Sequence, residues 1–178
     1  MREALKLNID GIEMIMQIKN YIKPNDEDEY SDNWTKTNFS LKSGNWLKYN
    51  FDREVLLSSD IDYLVEMLEK SLNYEFKEAV TVSFPEPDFS FELYPVLDLR
   101  TCDNILYVRE GCELQDIFSE FEIHFWDSGM LTGNKLCLTL SKDIMEIFVL
   151  YLKLISGKMK IDDEQIQNLV KEDIILSY

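Results

Sequence analysis

The one histidine of this chain, His124, stands in Phe121-Glu122-Ile123-His124-Phe125-Trp126, where strand alternation puts it on the face opposite Ile123 and Phe125. With no second histidine, and no serine or cysteine fixed beside it by a motif, it lacks the neighbours that a catalytic triad or a histidine-based metal site needs. The three cysteines, Cys102, Cys112 and Cys137, form no CxxC pair, which argues against a zinc knuckle and a disulfide framework. They read as free buried thiols, and Cys137, between Leu136 and Leu138, reads as packing rather than nucleophile. Glu86, Asp88 and Glu92 bracket an aromatic strand and offer the paired carboxylates of glycoside hydrolysis, but spacing along the chain does not set the separation that this chemistry requires. No GxGxxG, Walker loop or HExxH is present. The expectation is a protein without catalytic activity, cofactor or metal.

What the sequence does offer is charge. Thirty-four acidic residues against 18 basic ones give a formal net charge of −16, which repels nucleic acid and anionic membrane and attracts basic partners. The densest run is Asp26-Glu27-Asp28-Glu29, followed by Asp32. It fails as a calcium loop, because Ser31 stands where glycine is needed and Thr37 where a bidentate glutamate is needed. It sits beside Tyr30 and Trp34, aromatic residues of the kind that anchor interfaces, so this stretch is one candidate partner-binding surface. A second is the acidic stretch carrying Glu110, Glu113, Asp116 and Glu120 together with Phe118.

These groups must be held by elements. Leu5, Leu7 and Ile9, then Ile12, Met14, Met16 and Ile18, alternate with polar residues as strands do, and Asp10-Gly11 between them is a hairpin signal. Pro24 ends the second run, and Trp34 to Leu41 and Trp46 to Phe51 read as two more strands joined through Ser43-Gly44-Asn45. The period then changes. Ile61, Leu64, Val65, Leu68 and Leu72 predict an amphipathic helix over about 59–72, with Ser58 or Ser59 as its cap. Further strands are expected at 74–84, 89–99, 105–108, 121–126 and 136–140.

A second helix, about 142–156, is expected from the Ser141 cap to Gly157, burying Ile144, Ile147, Phe148, Tyr151, Leu154 and Ile155. The expected class is α+β, mostly antiparallel sheet with these two main helices and a short C-terminal helix near 162–171. A single domain is expected over 1–157, with 158–178 a helical extension. Arg2, Glu3, Lys6 and Asn8 interrupt the first ten residues, unlike the apolar core of a signal peptide, and a cytoplasmic location is expected.

Three stretches together carry a family resemblance: Asp32-Asn33-Trp34 opening a strand, Leu56 to Leu68 with its Ile61-Asp62-Tyr63-Leu64 helix start, and Phe84-Pro85-Glu86-Pro87-Asp88-Phe89-Ser90-Phe91-Glu92. In this order, with the later strands and closing helix, the chain resembles the WapI-type immunity proteins of bacterial contact-dependent toxin systems over about Gly11 to Gly157. The resemblance implies a cytoplasmic inhibitor that binds the toxic C-terminal domain of a polymorphic toxin. The charge agrees with a basic partner of the nuclease type, since nucleases need basic surfaces to hold phosphates. The alternative reading is an acidic protein-interaction or small-ligand-binding domain with no toxin partner.

Overall fold

The computed structural model describes residues 3–24, 33–101, 107, 110 and 114–177. Strands β1 (Glu3–Ile9) and β2 (Ile12–Lys19) form the hairpin expected at Asp10-Gly11, whose φ angles of 51° and 82° are those of a primed turn. β3 (Trp34–Ser43) and β4 (Leu47–Leu57) follow, then α1 (Ser58–Leu72), β5 (Val80–Ser83), β6 (Phe89–Leu93) and β7 (Leu97–Asp98). A 3-10 turn (Leu99–Thr101) precedes β8 (Gln115–Asp116), β9 (Phe118–Asp127), β10 (Met130–Ser141) and α2 (Lys142–Ile155). The last elements are α3 (Glu164–Lys171) and β11 (Ile175–Ser177).

All strand pairs are antiparallel, in a five-stranded sheet of order β11-β1-β2-β3-β4, a four-stranded sheet of order β10-β9-β6-β5, and a ribbon of β7 and β8. The fold is α+β. Period-two burial aims Phe39 of β3 at Phe89 of β6 (5.0 Å between centroids) and Phe121 of β9 (6.4 Å), so the two sheets share one aromatic core. Phe148 of α2 closes on Phe91 and Phe121 from the same side. Each such ring contributes on the order of 1.5–3 kcal/mol through burial, alongside the buried Leu, Ile, Val and Met side chains of the same core.

Several expectations are corrected. α1 starts one residue early, with Leu57 rather than a serine at its N-cap. The Ser58 hydroxyl is engaged elsewhere, and Asp60 Oδ2 accepts from the Leu57 N–H at 2.8 Å instead. The strand expected at 74–84 is cut to β5, because Tyr74 turns the chain at φ 61° after α1. The strand expected at 105–108 lies outside the described residues except for Tyr107, which is in no strand.

On α2 the fully buried stripe is Met145, Phe148, Val149, Tyr151 and Leu152. Ile147 and Leu154 of the expected stripe instead pack towards Ile166, Leu169 and Ile175 of α3 and β11. α2 is covered on two sides, so its apolar surface is wider than a single amphipathic stripe. The end of the chain, expected as part of a helical extension over 158–178, is instead strand β11: Glu3 pairs with Ser177 and Leu5 with Ile175. Gly157, at φ 72°, follows α2 in the left-handed conformation expected of it.

Candidate functional site

The acidic run Asp26, Glu27, Asp28, Glu29, Tyr30 and Asp32 lies outside the described residues, but both of its stems are built. Ser58, fully buried at the start of α1, accepts from the Ile22 N–H at 3.2 Å and donates to the Asn33 carbonyl at 3.1 Å, and its own N–H reaches the same carbonyl at 2.9 Å. One hydroxyl thus ties the chain entering the run to the chain leaving it. Asp62 reinforces the entry stem, accepting from the Tyr21 hydroxyl at 2.8 Å and pairing with Lys158 at 2.6 Å. Burial and the Asp62 carboxylate raise the pKa of Tyr21, so this hydroxyl remains a donor. Around the stems Ile22 (54%), Trp34 (37%) and Tyr63 (45%) expose apolar surface, the footing that an interface needs beside charge.

The second candidate surface is a groove. Asp116, at the end of β8, and Ile117 and Ser141 are shared by two adjoining clefts of about 480 Å³ and about 530 Å³. The first cleft is lined by Asp10 of the β1–β2 turn and by Phe118 and Ile144, the second by Lys142, Asp143 and Glu146 of α2. Four carboxylates therefore line these clefts together with the partly exposed Ile144 and Phe118, while Ile117 is buried beneath them. Lys142, a cation on this rim, leans over the Tyr74 ring (5.9 Å). Phe118 stacks on Tyr94 at 4.9 Å, which fixes its ring. Glu110 is an exposed turn residue, and Glu113 lies outside the described residues.

Glu120 lies on the outer face of the four-stranded sheet, two residues along β9 from Phe118, whose ring partner Tyr94 it shares. There it accepts from the Tyr94 hydroxyl at 3.0 Å. Cys137 is opposite Glu122 in register and is exposed, which corrects the buried-thiol expectation: Leu138 takes the inner face, so alternation sends Cys137 outward. Desolvation, followed by the Glu120 carboxylate, nevertheless pushes its thiol up to about 11, unlike an activated nucleophile. Cys102 and Cys112 lie outside the described residues.

The same face brings Ser90 to His124 (Oγ to Nε2, 3.4 Å) and Glu122 to the same nitrogen (3.6 Å). Both groups contact Nε2, whereas a triad needs the acid on the opposite nitrogen, and Glu122 is also held by Lys135, whose hydrogen bond keeps its carboxyl below the usual range. Cross-strand packing made this juxtaposition, and no motif in the sequence announces it. The ligand atoms of Glu120, Glu122 and Cys137 lie within 4.8 Å of one another, the one such group among the described residues that could hold a metal. Of the carboxylates weighed for glycosidase chemistry, Asp88 is buried against Arg53, and Glu92 accepts from Thr81 on the outer face.

Asp10 of the groove and the Ile22 stem lie beyond opposite ends of β2, whose eight residues span about 26 Å at 3.3 Å per residue. Among the described residues no helix is long and apolar enough to cross a membrane. The arrangement offers a partner fixed charge and fixed aromatic surface. The fold is an antiparallel two-sheet α+β body, and the sequence assigns its family: the model of the immunity protein WapI-like family matches residues 5–155, and the chain belongs to that family. No curated protein matches the chain.

Proposed function

We propose that this immunity-family protein is a cytoplasmic inhibitor, without catalytic activity of its own, that binds the toxic C-terminal domain of a contact-dependent, polymorphic toxin. Its partner is a basic, nuclease-type domain, and it meets that domain through acidic surface. The observation that carries this reading is the groove, where Asp10, Asp116, Asp143 and Glu146 stand with the partly exposed Ile144 and Phe118. The carboxylates supply the field that speeds encounter, by roughly 10–1,000-fold at low salt, and the two apolar side chains supply contact that persists once charge is screened beyond about 8 Å. The run from Asp26 to Asp32 with Tyr30 and Trp34, which follows the Ser58-bound Ile22 in the chain, is the second contact. Asp10 of the groove and the Ile22 stem are separated by the length of β2, about 26 Å, comparable with the width of a standard interface of about 800 Å² per partner.

The test is co-expression of the protein with the basic C-terminal fragments encoded next to its gene, followed by binding kinetics at two salt concentrations. The expected result is rescue of growth and an association rate that falls steeply with salt. Asp116→Lys with Glu146→Lys should slow association by about tenfold or more at low salt while leaving the melting temperature near that of the parent. If no neighbouring fragment is bound or silenced, the reading is wrong.

A further inference from the structure

The outer face of the five-stranded sheet carries the opposite charge bias from the rest of the molecule. Register places Lys6, Lys19, Lys36, Lys42 and Lys48 on it, five of the 18 basic residues of a chain whose net charge is −16. Among the described residues of these strands, Glu13, Asp52 and Glu54 oppose them there. Lys36, Lys42, Lys48 and Asp52 are exposed, so this face is open to solvent.

The bias is sharpest at the β3–β4 hairpin. Lys42 and Lys48 are direct cross-strand partners, an arrangement that costs stability because like charges stand face to face. Glu13, the other register neighbour of Lys42, is in an ion pair with Lys6 (3.7 Å), while Asp52 serves Lys36 (3.3 Å). Beside the two lysines Trp46 is 71% exposed, the most exposed tryptophan among the described residues. Its turn is anchored, since Ser43 Oγ donates to the Gly11 carbonyl at 2.9 Å. A repelling lysine pair beside a bare indole on a fixed turn is unfavourable for the protein alone and favourable once an anion with some apolar bulk covers it.

We propose that this face, centred on Lys42, Lys48 and Trp46, is a docking surface for an acidic segment of another protein. Charge complementarity names the occupant. The net charge of −16 opposes the dense phosphates of nucleic acid over the whole body, whereas a short segment with a few carboxylates meets mainly the local lysines. The proposal is independent of the toxin reading, which concerns acidic surface and a basic partner.

The test uses fluorescein-labelled oligoglutamate as the probe, read by anisotropy at low salt and by the indole N–H signal of Trp46 in a nitrogen–proton correlation spectrum. The peptide should bind and shift that signal. Lys42→Glu with Lys48→Glu, a change that relieves no buried contact, should weaken binding by about tenfold, and Trp46→Ala should weaken it while leaving both lysines in place. Lys160→Glu with Lys171→Glu, the same charge change elsewhere, should leave it unaltered. The proposal is overturned if the peptide does not bind, or if the Lys160 and Lys171 control loses as much affinity. It is overturned equally if a single-stranded oligonucleotide of equal charge binds more tightly, or if the protein self-associates through this face and the Lys42→Glu, Lys48→Glu variant alone sediments as a monomer.

Discussion

Arg53 of β4 reaches across the sandwich to Asp88, whose side chain is 1% exposed, and forms an ion pair that joins the five-stranded sheet to the turn before β6. The guanidinium is held between the Phe51 ring (4.9 Å) and the Trp126 ring (4.7 Å), so its position is set by both sheets. Removing one partner leaves a charge buried without compensation. Arg53→Met, which leaves the Asp88 carboxylate buried and unpaired, is expected to destabilise by about 3 kcal/mol, and Asp88→Ala by less, because the Arg53 that it leaves is 35% exposed. Replacing both with apolar residues, Arg53→Met with Asp88→Leu, should cost less than Arg53→Met alone, as measured by urea midpoints.

Tyr151 of α2 extends the hydrogen-bond ladder of β2. Its buried hydroxyl donates to the Met16 carbonyl at 3.1 Å and accepts from the Ile18 N–H at 3.0 Å. Tyr151→Phe keeps the ring packing and removes both bonds, so about 1–3 kcal/mol should be lost with no change in core volume. Hydrogen exchange at Ile18 should accelerate. Unchanged protection there would show that the backbone finds another partner.

The stems of the acidic run depend on one small side chain. Ser58→Ala removes the partner of the Ile22 N–H and one of two donors to Asn33, at a cost of about 1–2 kcal/mol. Local exchange at Ile22 should rise more than global stability falls.

Cys137 should be a poor nucleophile despite its exposure. With a pKa of about 11, its thiolate fraction at pH 8 is roughly one-hundredth of that of an ordinary thiol, and its alkylation by iodoacetamide should climb with pH up to that value. Because the folded-state pKa is raised, the folded state holds the proton more tightly, and stability from this group is lost as pH rises through the range between the unfolded and folded values. Glu120→Gln should lower the pKa and speed labelling at pH 8. Peptide-resolved mass spectrometry separates Cys137 from Cys102 and Cys112.

Much of the fold was legible because it rests on local rules. The Asp10-Gly11 turn, the alternation of β1 and β2, the spacing of Ile61, Leu64, Val65 and Leu68, and Gly157 after α2 all act within a few residues of themselves. What escaped depends on distant contact. Ser58 did not cap α1 because Ile22 and Asn33 claim its hydroxyl, and α2 has a broad apolar surface because α3 arrives from beyond it. The groove could not be read as a site, since Asp10, Asp116 and Glu146 come from a turn, a short strand and a helix with no shared spacing. The approach of Ser90 to His124 is likewise a product of sheet register.

The bonds through Ser58 fasten Ile22 and Asn33 to the start of α1 with atoms of those three residues alone. None of them takes an atom from residues 25–32. Under the proposed contact, a gene lineage that exchanges charges in that stretch keeps all three partners of this clasp, and sequence drift there is expected to run ahead of drift at Ser58.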